Sequence, residues 1–519
     1  MLLQHFLEES ALKYPNKVAL ICRDVRLTYA EINCHANQLA ALLRSQGIRR
    51  GDRVAIFLDN SVESVISLFG ILKADAVFLM LSPQLKAPKL KYILINCGAK
   101  ALISDVNRLN AASDVMLKVS SLKSVLFIGD QENVKAGIHR NLISWNDIER
   151  LKDTSSIRPA NIDIDLASII YTSGSSGNPK GVMLTHLNMV SAAIAITTYL
   201  ENVPGDIVIN VLPLSFDYGL YQVIMTFKFG GTLVLEKSFV YPHEVLKRIV
   251  EERVTGFPGV PTIFAILLQM KDLKKYDLGS LRYITNTAAA LPVKHIRQIR
   301  ETFPRARLYS MYGLTECKRV SYLPPEELDR RPDSVGKCMP NMEGWVVDEG
   351  GQRLGPGVVG ELVVRGPNVM RGYWGDPDGT NEVLKRGLLP GEKVLYTGDL
   401  FRTDEGGFLY FVGRKDDIIK TRGERVSPKE VENAIQELEG VDEVAVIPVP
   451  DEILGSAIKA FIVPTNGYCL TEKNVLSHCK RYLEEFVIPK YFEFREALPK
   501  NPSGKIDKLA LKQESSQAK

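Results

Sequence analysis

The sequence predicts an α/β protein: a large N-terminal domain of layered α/β subdomains with a small β-barrel-like region, then a small α+β C-terminal domain. Three changes of texture carry this prediction. Over roughly the first 400 residues, helical periodicities alternate with short β-branched runs, as in largely parallel sheets covered by helices. From about Gly344, Gly/Pro turns separate short strand-like runs, as in a small antiparallel sheet. Past Gly413-Arg414-Lys415-Asp416, helices and strands return in a compact block. The division is expected near Lys415/Asp416, giving domains 1–415 and 416–519.

Residues 30–46 read as a helix and 53–58 as a strand. The longest apolar stretch, 65–81, holds Lys73 and Asp75 in its middle. A membrane-spanning helix needs ~20 mostly apolar residues. A buried helix over 64–73 and a strand over 76–81 are expected instead. Strands follow at 100–103, 124–128, 166–171, 207–211 and 232–235, with a helix at 243–252. The antiparallel region is expected at 345–348, 360–365 and 407–412. A Ser-Pro signal opens a helix over 427–438. Strands at 441–449 and 458–463 and a helix at 472–486 complete the chain.

Composition excludes several classes. Apolar residues make up 45% and charged residues 24% of 519, which is ordinary for a globular protein and unlike a disordered or disulfide-stapled chain. The net charge of +4 is nearly balanced, against broad nucleic-acid binding. The seven cysteines are scattered without a C-x-x-C pair, so no disulfide framework or structural zinc is expected. Reduced thiols and an N-terminus without a basic n-region point to a cytoplasmic protein with no signal peptide.

The richest stretch is Tyr171-Thr172-Ser173-Gly174-Ser175-Ser176-Gly177-Asn178-Pro179-Lys180-Gly181, which follows a strand and is expected to precede a helix. Glycines and hydroxyls on such a turn offer N–H and O–H donors to a phosphate chain, and Lys180 adds a point charge. It is not a Walker A loop, because Gly181 follows the lysine where Ser or Thr is required. Residues 355–360 formally match G-x-G-x-x-G, but Pro356 and the strand that follows make this a turn.

Tyr171–Gly181 resembles the phosphate loop of the adenylate-forming enzymes: acyl-CoA synthetases, nonribosomal peptide synthetase adenylation domains and firefly-type luciferases. Further motifs follow in that family's order. Tyr312-Gly313-Leu314-Thr315-Glu316 resembles its Y-G-x-T-E element, and Tyr396-Thr397-Gly398-Asp399 its Y-T-G-D element. Gly413-Arg414-Lys415-Asp416 and Arg422–Pro428 resemble its hinge and the loop after it. Pro499-Lys500-Asn501-Pro502-Ser503-Gly504-Lys505 resembles its C-terminal lysine motif.

The resemblance implies an AMP-forming ligase. A carboxylate attacks the α-phosphate of ATP, and a thiol then takes the acyl group from the adenylate. An anion meeting a polyanion needs positioning and charge neutralisation above all. By resemblance, Thr172, Ser173, Gly174, Ser175, Ser176, Gly177 and Lys180 hold the β- and γ-phosphates, and Glu316 binds Mg²⁺. Thr315 meets the α-phosphate, Tyr312 beside Gly313 offers its ring to adenine, and Asp399 and Arg414 serve the ribose. Lys505 bridges the attacking carboxylate and the α-phosphate. The resemblance also makes the C-terminal domain mobile about Asp416, with Gly423 on the thiol's path.

The carboxylate and the thiol stay open. Phe216-Asp217 stands where many acyl-CoA synthetases resemble P-L-F-H-x-x-G and amino-acid-activating domains F-D-x-S, with Gly219 in the serine's place. Asp217 suggests a substrate ammonium, but it could instead pair with a protein cation such as Arg319 or cap a helix. Ala288, Ala289 and Met311 are expected to line the rest of the pocket. The thiol is coenzyme A or the phosphopantetheine of a separate carrier protein. Asp333-Ser334-Val335 only faintly resembles a carrier motif, and the basic run 414–429 could dock an acidic carrier. Loading of an amino acid or small acid onto a carrier competes with medium- or long-chain acyl-CoA synthesis. A nucleotide-binding pseudoenzyme is a remote alternative.

Overall fold

Two large sheets organise the N-terminal part of the computed structural model, which describes residues 1–135, 141–151, 155–172, 179–287, 291–417, 419–421, 424–451, 455–483, 485, 487–501 and 504–517. In the nine-stranded sheet, Val18–Cys22, Thr232–Leu235, Ile207–Asn210, Gly256–Gly259, Tyr283–Asn286 and Arg307–Tyr312 run parallel, with antiparallel strands at both edges. In the eight-stranded sheet, Leu166–Thr172, Val77–Met80, Arg53–Phe57, Ala101–Asp105, Ser124–Ile128 and Asn141–Ser144 are parallel. Helices lie between the strands as the alternating texture requires.

Helix starts follow the capping chemistry. Thr28 and Glu31 form a reciprocal capping box at Tyr29–Ser45, and Ser61 and Ser64 form one at Val62–Lys73. The long apolar stretch is this second helix followed by the buried strand Val77–Met80. Lys73 reaches Glu8 at 2.6 Å, so the charge in that stretch is paired. No helix among the described residues is long and apolar enough to cross a membrane.

Glu343–Val347, Gly360–Arg365, Leu384–Arg386, Lys393–Thr403 and Leu409–Arg414 form a five-stranded antiparallel sheet. Gly357, at φ +81°, sits in the exposed turn before Gly360–Arg365, so the G-x-G-x-x-G match is a turn. The largest core draws on residues from Leu3 to Leu409, and a second one, from Ala55 to Ile169, lies within the same part of the chain. Separate cores lie beyond Ile419, under the sheet of Val441–Asp451, Gly455–Pro464 and Tyr491–Phe494. The last predicted helix is shorter than expected: Glu472–Tyr482 ends where Leu483 turns extended, at φ −122° and ψ 146°.

Candidate active site

The glycine-rich loop joins two antiparallel strands. Thr172 ends Leu166–Thr172, Lys180 begins Lys180–Thr185, and the two are register partners. The sequence predicts a helix directly after the loop. The mostly buried run 180–185 pairs back instead, and the helix His186–Tyr199 starts only after it. Ser173, Gly174, Ser175, Ser176 and Gly177 lie outside the described residues. Lys180 Nζ sits 3.7 Å from an Asp376 oxygen and 5.0 Å from the Tyr373 ring centroid. Together with Asn96 and Trp374 it lines an open cavity of about 270 Å³.

Tyr312, Asp399 and Arg414 come together from three strands. Arg414 is the register partner of Asp399 across the antiparallel pair, and Tyr312 ends the parallel strand Arg307–Tyr312. Tyr312 Oη donates to Asp399 Oδ2 at 2.6 Å. Arg414 Nε lies 3.2 Å from Asp399 Oδ1 without hydrogen-bond alignment, so that buried oxygen accepts no hydrogen bond among the described residues. Burial pushes the Asp399 carboxyl above its ordinary range, while Arg414 and then the Tyr312 hydroxyl pull it back. A buried acceptor without a donor fits a ligand hydroxyl. The Tyr312 ring stands edge-on to Phe401, centroids 4.8 Å apart.

Gly313 is required where it is: a Cβ there would lie 2.1 Å from the Lys318 carbonyl oxygen. The chain thus doubles back through half-buried Thr315 and Glu316. Glu316 Oε1 accepts from Tyr373 Oη at 2.9 Å. Asn368 donates to the carbonyls of Cys317 and, at 3.0 Å, Arg319. Tyr373, Asp376 and Asn368 escape the sequence reading. Tyr373 arrives by pairing with Val182, and no local spacing announces that contact.

The residues expected from sequence to line the acyl pocket lie among charges. Phe216 immediately precedes the helix Asp217–Phe229 and stands edge-on to Tyr218, centroids 6.2 Å apart. Lys318 is the cation facing Asp217, with Nζ 3.9 Å from Oδ2; the Arg319 pairing considered from sequence is not formed. Arg319 donates to Thr287 Oγ1 at 2.5 Å and lies 5.2 Å from the Tyr218 ring centroid. Burial brings the Lys318 ammonium down to about 8, and Asp217 opposes that shift. Met311 is buried, its Sδ accepting from Tyr199 Oη at 3.0 Å. Ala288 and Ala289 lie outside the described residues. A Cβ on Gly219 would meet the Pro213 and Leu212 carbonyl oxygens at 2.4 and 2.8 Å, which leaves no room for a serine.

Lys505 reaches this site from the C-terminal part. Thr262 Oγ1 donates to the Gly504 carbonyl at 2.8 Å, and Lys505 N donates to Asn501 Oδ1 at 3.0 Å. Burial lowers the Lys505 pKa; Asp217 raises it, Arg414 lowers it and Asp399 raises it. Its ammonium is therefore exposed to charges of both the acyl pocket and the Tyr312–Asp399–Arg414 cluster. The Asp416 side chain and Gly423 lie outside the described residues. Lys415 pairs with Glu361 at 3.0 Å, so this cation of the basic run is used internally. Ser334 is buried and donates to the Leu409 carbonyl at 2.9 Å, unlike an accessible carrier serine.

Comparison with known proteins agrees with this geometry. The family model described as AMP-binding enzyme matches residues 7–374, and that of the AMP-binding enzyme C-terminal domain matches 430–505. A long-chain-fatty-acid–CoA ligase of Bacillus subtilis (strain 168) is 32% identical, covering 99% of this chain and 95% of the relative. Gramicidin S synthase 2 of Brevibacillus brevis is 30% identical over 98% of this chain and 11% of its own length. The solved structure of the anthranilate CoA ligase AuaEII with anthranoyl-AMP superposes with a TM-score of 0.91 at 28% identity, covering 100% of this chain and 98% of that one. ATP-bound MatB from Rhodopseudomonas palustris superposes with a TM-score of 0.89 at 28% identity over 100% of both chains. With five ordered motifs and the charges of both half-sites converging on Lys505, the chain belongs to the AMP-binding enzyme family, as an AMP-forming acid–thiol ligase.

Proposed function

We propose that the chain activates a small polar carboxylic acid with ATP, releases pyrophosphate, and passes the acyl group to a thiol. The observation that carries this reading is that Lys505, next to the Gly504 carbonyl held by Thr262, feels the charges of Asp217, Arg414 and Asp399. A cation there neutralises the attacking carboxylate and the α-phosphate as negative charge accumulates. Asp399 Oδ1 takes a ribose hydroxyl, Tyr312 offers its ring to adenine, and Thr172, the loop 173–177 and Lys180 hold the phosphate chain.

Glu316 suits Mg²⁺. Among the described residues no group of three or more His, Cys, Asp or Glu gathers to hold a metal ion alone. Glu316 would hold such a hard cation, which suits carboxylate and phosphate oxygens. Bound there, it would supply charge neutralisation at the phosphates. The domain division at Lys415/Asp416 would let the C-terminal part swing about Asp416, bringing Gly423 to the thiol's path.

Half-buried Asp217 with buried Lys318 and Arg319 favours a small polar acid, amino acids included, over a long aliphatic one. The names of the long-chain ligases at 32% identity support the other reading. The acceptor is coenzyme A or a separate carrier protein's phosphopantetheine. A pyrophosphate-exchange screen across fatty, aryl, amino and other small acids tests the proposal. Exchange confined to fatty acids would end the small-acid reading.

A further inference from the structure

Two cations lie buried beside Asp217, one of the residues assigned to the acyl pocket. Lys318 and Arg319 are each 4% exposed. Lys318 Nζ makes no hydrogen bond among the described residues; its ion pair is with Asp217, at a loose 3.9 Å. It also lies 5.8 Å from the Tyr221 ring centroid. Arg319 uses one nitrogen on Thr287, while its buried Nε has no hydrogen-bond partner among the described residues. Glu316 acts on Lys318 more weakly than Asp217 does, and its carboxylate already accepts from Tyr373. Leaving the Lys318 ammonium and the Arg319 Nε unpaired in a buried place is costly, and a ligand anion would relieve that cost. The Lys318 backbone is held at φ +65°, with Gly313 packed against its carbonyl, so the loop is committed to delivering this side chain inward.

We propose that Lys318 and Arg319 select an acid that carries a second anionic group, in the simplest case a second carboxylate, away from the carboxylate that is adenylated. This rests on the ligase reading above. Asp217 balances one of the two cations, which leaves one positive charge for the ligand. An acidic amino acid would satisfy the same arrangement, with Asp217 also near its ammonium. The reacting carboxylate meets Lys505, so the two ends of the acid are read by different cations.

The test compares matched pairs of acids in pyrophosphate exchange with the unmodified enzyme: succinate against butyrate, glutarate against pentanoate, glutamate against norvaline. A site built around buried cations should favour the dicarboxylate of at least one pair by about 100-fold or more in kcat/KM. Lys318→Met and Arg319→Met should erase most of that preference, chiefly by raising the KM of the dicarboxylate. Equal exchange by both members of every pair, or exchange only by acids with one carboxylate, overturns the inference and leaves the ligase reading intact. Exchange with no acid of any class overturns both. The comparison on the unmodified enzyme stands even where a variant fails to fold.

Discussion

Tyr312→Phe removes one hydroxyl from the most tightly connected part of the nucleotide site. That hydroxyl donates to Asp399 Oδ2 at 2.6 Å and holds the carboxylate with Oδ1 beside Arg414 but accepting no hydrogen bond among the described residues. A hydrogen bond to a charged group contributes about 1.5–3 kcal/mol, which corresponds to about 1–2 pH units. The sign follows from which form is stabilised. The hydroxyl favours ionised Asp399, whose carboxyl burial already raises, so its loss lifts that pKa further. In the proposed role Asp399 accepts from the ribose only when ionised, so the acid limb of kcat/KM for ATP should move to higher pH by about 1–2 units. Away from that limb, the KM for ATP should rise about 10-fold or more as the unanchored carboxylate loses its aim. Pyrophosphate exchange against ATP concentration across pH measures both effects. An acid limb that stays in place, with KM within about twofold, would refute the reasoning.

Gly219→Ser, which restores the residue type of amino-acid-activating domains, should destabilise the fold by about 3 kcal/mol, because the new Cβ meets two backbone carbonyls that cannot swing aside; an unchanged thermal midpoint would contradict this. Lys318→Met should flatten the pH dependence of stability at alkaline pH. The native ammonium titrates near 8 in the folded protein against 10.5 unfolded. Its stabilising contribution is therefore full only above 10.5 and is lost as pH falls through 8. Relative to the variant, the native protein should gain roughly 3 kcal/mol between those pH values. Denaturant midpoints at pH 7 and 10.5 measure it, and a constant difference between the two proteins would count against a buried charged lysine.

The parallel strands were legible because buried strands leave short, continuous β-branched runs, as at Ser124–Ile128 and Thr232–Leu235. The motif residues were legible because chemistry restricts their types. The hairpin across Thr172 and Lys180 was not: a Gly/Ser-rich turn reads alike before a helix or a returning strand. Lys318 was hidden for a different reason. Beside Arg319 it looks like a solvated charge, and only the doubling back of the chain between Gly313 and Lys318 turns it inward. Tyr373 was likewise delivered by pairing with a distant strand.

The most direct test of the ligase account separates the two half-reactions in Lys505→Ala, using an acid that the exchange screen identifies. Pyrophosphate exchange should fall by about 100-fold or more, because the cation meeting the developing charge is gone. Thioester formation from supplied acyl-adenylate should proceed at the native rate. Retained exchange, or loss of both steps together, would contradict the assignment of Lys505 to adenylate formation alone.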